Sequence, residues 1–529
     1  MKPRVTSLIS SFNVSGWKAL GLAFFVGFVI RLVPELLSYP HPIGFDTVYY
    51  AWRIKSGVVW YDWSEVFTTW LLNGILVPVY NLVRGDPFMV LKAAAPLLFG
   101  FNTCGIYYFA KRALNWTSKK ALFCSLVFSF QVAALAISWQ FYRNLLGLGV
   151  LLFALPFLKD VGKNVKSFLS FVLLSVLVVF SHEMVAVVLF VAAFAVASSS
   201  LLKKAKPYAL KVIGAVAPAL GLFLGRIFLM VFPVSYSVPS SNVISAYHTA
   251  GHYTGALFFF TNYLGVSDTV QSYSSYFVLF SNVASLFVLL FLVVIPLVLI
   301  GFFRNGILDG WVGLLLVGGF GALVVPWFAL DMWSRWMLML VYPFTFYVVN
   351  GVGRVAQVGG LSVSPGWRRP NWLKVSKRAA KGLLVVSFGL GLVFMACPLL
   401  FGRFGLVGLP TTVNYVPSTM QCNSLPLVDV EGAVEALKWV NTRMDGSSAF
   451  LAQDAFNWWA RLYLDSSRVI VYFQSDFESA IALAASHGLT REFFLWWNVN
   501  IGWYGVTVPN YFVRVQDFGR ISVYEFGSA

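Results

Sequence analysis

The stretch Val66-Phe-Thr-Thr-Trp-Leu-Leu-Asn-Gly-Ile-Leu-Val-Pro-Val-Tyr-Asn-Leu-Val83 decides how the whole chain is threaded. It is apolar enough to enter a bilayer, and by itself it is ambiguous between a crossing and a surface helix. If it crosses, Lys111, Arg112, Lys119 and Lys120 fall outside and every later loop is inverted. If it lies flat on the outer surface, the basic connectors gather on one side: Lys2/Arg4/Lys18, Lys111 to Lys120, Lys159/Lys163/Lys166, Lys203/Lys204/Lys206 and Arg354 to Lys381. Lys and Arg collect in cytoplasmic loops, so the flat interfacial helix is preferred. Eleven other apolar runs then cross, at 17–38, 88–110, 120–139, 144–158, 167–181, 184–202, 208–232, 275–301, 311–330, 336–350 and 381–401. The run from Trp17 to Ile30 meets Arg31, Pro34 and Glu35 rather than a small-residue cleavage site, and reads as a retained span.

Composition points the same way. Of 529 residues, 59% are hydrophobic and 11% charged, and mean hydropathy is +0.76. Soluble proteins carry about 25% charged residues, so a cytosolic globular enzyme and a disordered chain are both excluded. The net charge of +17 is unevenly spread. Residues 403–529 hold eight Lys/Arg against eleven Asp/Glu, which leaves thirty against ten, an excess of +20, in 1–402. The basic excess therefore belongs to the membrane part and reflects topology rather than nucleic-acid binding. The expected architecture is a polytopic α-helical membrane protein of about 11 transmembrane helices with a small C-terminal external α/β domain. Residues 1–402 form the membrane domain, with a first external loop at 39–87, and 403–529 form the external one. The chain is expected in the cell membrane as a multi-pass protein, N-terminus cytoplasmic and C-terminal domain external. In the tail, Arg468–Phe473, Tyr511–Val515 and Ile521–Phe526 read as strands, and Glu431–Thr442 and Phe477–His487 as helices.

Ionisable residues are costly within a membrane, so their placement is informative. On this topology Arg31, Asp46, Arg143, His182, Glu183, Arg226, Asp331 and Arg335 all map to the outer face. Arginine presents a planar, permanently charged fork that matches phosphate, so Arg335, Arg143, Arg226 and Arg31 are candidates for an anionic lipid headgroup. Single arginines near span ends also serve as snorkelling anchors, and Asp331 with Arg335 also suits a turn-stabilising i,i+4 pair. The midplane is almost free of charge, which argues against an ion path.

Arg31-Leu-Val-Pro34, then Gly44-Phe45-Asp46-Thr47-Val-Tyr49-Tyr50, joins the end of the first span to an acidic loop, and an interfacial helix and a span ending in Lys111-Arg112 follow. This arrangement resembles the GT-C superfamily of integral membrane glycosyltransferases, which includes protein O-mannosyltransferases, the aminoarabinose transferases of lipid A and the catalytic subunit of oligosaccharyltransferase. The resemblance implies a GT-C-like membrane domain, a catalytic acid in the first external loop, here Asp46, and a sugar donor on polyprenyl phosphate or diphosphate. The Ser334-Arg335-Trp336 turn is similar to the point where an arginine of that superfamily meets the lipid phosphate. Ala436-Leu-Lys-Trp439, Ala449-Phe-Leu-Ala and Asn457-Trp458-Trp459-Ala-Arg461 resemble the start of the archaeal oligosaccharyltransferase soluble domain, without the Asp-Tyr-Gly that follows its two tryptophans.

The expectation is a glycosyltransferase, a hexosyl or pentosyl transferase with a lipid-linked donor. It moves the sugar to a glycan, lipid or protein acceptor on the external face, with Asp46 as base and the arginines on the phosphate. Tyr49, Tyr50, Trp458 and Trp459 are acceptor-side candidates, while Glu183, His182 and Asp331 are candidates for a second acid or for ligands of a divalent metal such as Mg or Mn. A flippase for lipid-linked sugars, oligosaccharyltransferase-like transfer to protein, and a scaffold stay open as alternatives. His248 and His252 have metal-ligand spacing but enclose a glycine and read as surface loop. Asp62 and Glu65 read as a helix cap. Four cysteines form no CxxC and no metal spacing; three lie in apolar runs and read as small hydrophobes, with a Cys397–Cys422 bridge on the outer side the minor alternative.

Overall fold

The computed structural model describes residues 16–57, 70–231, 276–324, 333–358, 371–396, 420–421, 423–472, 477–498 and 508–527. The loop 233–274 with His248 and His252, the stretch 58–69 with Asp62 and Glu65, and Asp331, Cys397 and Cys422 lie outside them.

The chain runs through α1 (Gly16–Leu37), α2 (Thr47–Ser56), α3 (Leu71–Val83), α4 (Pro87–Arg112), α5 (Ser118–Ser129), α6 (Val132–Gln140), α7 (Tyr142–Leu158) and α8 (Val165–Ser181). It continues through α9 (Glu183–Leu202), α10 (Lys206–Val231), α11 (Tyr276–Phe291), α12 (Ile295–Gly301), α13 (Gly306–Val324), α14 (Trp333–Met339), α15 (Val341–Val358) and α16 (Asn371–Ala396). Among the described residues, seven helical stretches are long and apolar enough to cross a bilayer, or nine if each of two bent pairs is one span. Over the described residues, each of the eleven runs expected to cross is helical, two of them as bent pairs. The pairs α5/α6 and α11/α12 bend by 65° and 75°. Pro296 in the first turn of α12 lacks the N–H that would continue α11. The helices α7 and α8 have 17 residues each, about 25 Å at 1.5 Å per residue, the lower end of the length that crosses a bilayer.

The helix α3 has 13 residues, about 20 Å, too little to cross. It buries Leu72, Leu76 and Val77 against the bundle and exposes Ile75, Val79 and Leu82. Two apolar faces, one on protein and one outward, suit a helix lying in the interface.

Lipid offers no hydrophobic drive between helices, so close backbone packing and polar contacts hold the bundle. A Cβ on Gly27 of α1 would lie 2.3 Å from Thr103 Oγ1 of α4, and one on Gly100 would lie 2.9 Å from the Phe24 carbonyl. These glycines let the two helices touch. The opposite face of α1 exposes Leu22, Phe25, Val29, Val33 and Leu36, a stripe for acyl chains. Inside, Asn102 donates to the Leu145 carbonyl at 2.7 Å and accepts from Tyr342 at 2.8 Å, tying α4, α7 and α15 together.

The C-terminal region contains α17 (Leu427–Asn441), β1 (Ser448–Gln453), α18 (Asp454–Tyr463), β2 (Val469–Tyr472), α19 (Phe477–Ser486), β3 (Arg491–Trp497), β4 (Val513–Phe518) and β5 (Ile521–Gly527). The five strands form one sheet in the order β2-β1-β3-β5-β4. The strand β1 is parallel to β2 and β3, and β5 is antiparallel to β3 and β4. Sequence periodicity points to β2, β4 and β5 but misses β1 and β3. All six residues of β1 and six of the seven of β3 are buried, and a strand covered on both faces has no polar alternation to read.

Candidate active site

Five elements meet at the end of the bundle where α1 finishes and α2 begins. The Gly44 residue adopts φ +101°, and a Cβ there would lie 2.0 Å from the Trp139 carbonyl. Only glycine satisfies both conditions, so the loop can lie directly on the end of α6. The Thr47 hydroxyl donates to the Ile43 carbonyl, Thr47 N–H donates to Gly44 O at 3.1 Å, and Asn423 donates to Pro42 O at 2.8 Å. The loop is thus tied at three points. It delivers Asp46 to the N-terminus of α2, where the side chain makes no capping hydrogen bond and the helix dipole favours a carboxylate.

The side chain of Asp46 faces a cavity of about 220 Å³ also lined by Tyr49, Tyr50, Phe141, Arg143, Asn144, His182, Arg335 and Trp458. The carboxylate and two of the four arginines singled out from sequence therefore share one cavity, with the imidazole beside them. The guanidinium of Arg335 sits 4.3 Å from the centre of the Phe141 ring, a cation–π contact that holds it flat on one wall. Arg143 donates to the Tyr50 hydroxyl, and burial raises the Tyr50 pKa above its ordinary value, so the phenol stays neutral. The Tyr50 ring also stacks on Tyr142 at 5.3 Å.

The imidazole of His182, in the turn between α8 and α9, is pushed down to about 3. Burial is the main cause, helped by the guanidiniums of Arg143, Arg335 and Arg226 and opposed by Glu183. Its Nδ1 accepts the Met184 N–H at 3.2 Å, which assigns the proton to Nε2. His182 is therefore a neutral donor rather than a base.

The structure takes four other candidates, Arg31, Arg226, Glu183 and Trp459, out of the cavity lining. Arg31 is fully buried in α1 and pairs with Glu35 at 2.8 Å, while Glu35 also receives Lys92 at 3.1 Å. The Arg31 Nε donates to Ser138 O at 3.4 Å, so this arginine braces α1 against α4 and α6. Its i,i+4 partner was visible in the sequence. Arg226 reaches across from α10 to Glu183, so both groups stabilise the floor behind His182. Trp459 is buried, donates to Ser424 Oγ at 3.1 Å and packs on Phe88 at 5.5 Å. It docks α18 on the membrane helices and leaves the cavity wall to Trp458.

Phe141 and Asn144 line the cavity without having been singled out. Their signal was proximity to Arg143 where α6 breaks into α7.

The C-terminal region supplies one wall. Trp458 meets Tyr49 edge-on at 4.7 Å and Trp52 at 5.1 Å. Lys55 donates to Leu462 O at 2.6 Å and Trp52 to Ser466 Oγ at 3.3 Å, which fastens α2 to α18.

A resident divalent metal does not fit this lining. Among the described residues no three His, Cys, Asp or Glu side chains converge, Glu183 is taken by Arg226, and two guanidiniums on the same wall disfavour a cation. The arrangement suits an anion held by Arg143 and Arg335, in the cavity that Asp46 also lines.

No family model matches the chain, and no curated protein matches it. Two crystal structures of ArnT from Cupriavidus metallidurans are similar to it. With the form bound to undecaprenyl phosphate the TM-score is 0.48 at 11% identity, covering 96% of this chain and 97% of that one. With the apo form it is 0.49 at 13%, covering 94% and 97%.

Proposed function

We propose that the chain is a membrane glycosyltransferase of the GT-C type that moves a sugar from a polyprenyl phosphate or diphosphate to an acceptor hydroxyl at the external face. The observation that carries this reading is the shared cavity, which one carboxylate lines together with two guanidiniums at the N-terminal ends of α7 and α14. Asp46 takes the proton from the acceptor hydroxyl as its oxygen attacks the anomeric carbon. The bond from that carbon to the phosphate oxygen breaks, and the electron pair leaves with the phosphate. Arg143 and Arg335 meet the charge that develops there, in a site walled by Phe141, Tyr50 and Trp458, where such a donor is worth about 3 kcal/mol. His182, neutral with its proton on Nε2, adds a hydrogen-bond donor without adding charge. Displacement by a single base inverts the anomeric configuration.

The test uses polyprenyl phosphate carrying a labelled sugar, incubated with the full chain in membranes. Wild type is expected to move label from lipid to acceptor. Asp46→Asn is expected to lower the rate at least a hundredfold while membrane insertion is unchanged. Full activity in Asp46→Asn overturns the assignment, and translocation of intact donor without bond cleavage favours a flippase instead.

A further inference from the structure

At the other end of the same helices lies a larger cavity, of about 670 Å³, between the C-terminal ends of α4, α7, α9 and α15 and the start of α10 and α13. Lys159 and Lys203 stand on its polar side, and Trp116, Val196, Phe303 and Ile307 on its apolar side. Its shape is built by internal contacts. Tyr208 donates to Leu158 O at 2.7 Å, Asn350 donates to Gly301 O at 2.9 Å, and Asn350 accepts from Lys120 at 3.0 Å. Asn305 caps α13 by accepting from Ile307 N–H at 3.1 Å.

A second cavity, of about 340 Å³, shares Asn115 and Lys159 with the first and adds Lys111, Arg112, Lys163 and Asp160. Four cations there face one carboxylate, and that carboxylate pairs with Lys163 at 2.6 Å. The cationic recess thus adjoins, through Asn115 and Lys159, a cavity with apolar lining at the helix ends, the pairing of charge and apolar surface that a membrane headgroup region meets.

We propose that this double cavity binds the headgroup of an anionic glycerophospholipid. The phosphate lies between Lys159 and Lys203, and the glycerol and first acyl carbons lie along Trp116, Phe303 and Ile307. The apolar wall and the volume favour a lipid over free phosphate, whose chemistry uses only the cations. This site is separate from the cavity that holds Asp46 and does not rest on the reading of that cavity.

The test compares the full chain in a neutral detergent with phosphatidylglycerol, with phosphatidylcholine and with inorganic phosphate, scoring retained lipid by native mass spectrometry. Phosphatidylglycerol is expected to be retained and the other two not. Lys159→Gln and Lys203→Gln should each weaken retention about tenfold, the loss of one charge-assisted contact. Ile307→Trp, which fills the cavity and leaves the charge alone, should weaken it too. Lys18→Gln removes an exposed cation at the same end but outside both cavities, and should leave retention unchanged. Equal retention of phosphatidylcholine, equal binding of inorganic phosphate, no effect of Ile307→Trp, or an equal loss in Lys18→Gln would each overturn the proposal.

Discussion

A single methyl group at position 44 is expected to disable the site. With φ at +101° and the Trp139 carbonyl 2.0 Å from where the Cβ would be, Gly44→Ala has to move the loop that carries Asp46, the proposed base. Displacing a catalytic group by about 1 Å costs on the order of a hundredfold in rate. The measurement is labelled-sugar transfer by Gly44→Ala in membranes, with insertion as control. Unchanged transfer would show that the loop does not set the position of the carboxylate. At this scale the sequence was partly legible. Asp46, Arg143, Arg335 and His182 reach one cavity, and each was notable as a charge near a span end. Arg31 and Arg226 were notable for the same reason and meet Glu35 and Glu183 instead. The i,i+4 spacing announces the first pair. The second joins positions 43 residues apart, which no local rule connects.

Elements are held by buried polar groups whose loss is expected to be costly. Glu35 balances Arg31 and Lys92 where α1, α4 and α6 meet, and all three side chains are buried. Removing the shared partner leaves two cations uncompensated, a loss of about 3 kcal/mol or more. Glu35→Ala should therefore lower the thermal midpoint of the purified chain by several degrees, and an unchanged midpoint would exclude a structural role for the triad. In the sheet, Glu492 on β3 is buried and its carboxyl is pushed up to about 7, chiefly by burial. The folded sheet binds this proton more tightly than the unfolded chain, whose ordinary value is 4.5. The contribution of this group to stability is therefore fully present below about pH 4.5 and is lost as pH rises towards 7. Amide exchange of β1 and β3 should be slower in Glu492→Gln than in wild type at pH 8, and the difference should shrink at pH 5. A difference independent of pH would place the effect elsewhere.

Across the whole molecule, the membrane helices and the C-terminal sheet region complete one cavity between them. Trp458, on α18, faces Tyr49 and Trp52 of the loop helix, so an aromatic surface lines the cavity where, on the proposed function, an acceptor would stack. Stacking of this kind is worth about 1 kcal/mol. Trp458→Ala should raise the acceptor KM several-fold with little change in kcat, as steady-state transfer at varied acceptor would report. A fall in kcat alone would mean that Trp458 holds Asp46 rather than the acceptor. The same docking depends on Trp459, buried against Phe88 and Ser424. The two adjacent tryptophans thus part company, one to the wall and one to the joint.

The sequence by itself determined where the helices run and which end of them is basic, because apolar length and charge are properties a chain carries residue by residue. It marked Asp46 through the resemblance of the Arg31-to-Tyr50 stretch to the first external loop of the GT-C superfamily, because a loop aspartate by itself is ordinary. Tertiary structure alone decided which arginines reach the cavity, that β1 and β3 are strands, and that a tryptophan more than 400 positions from Asp46 closes the site. Those outcomes depend on the rotation of each helix about its axis and on distant segments meeting, and neither leaves a periodic mark in the chain.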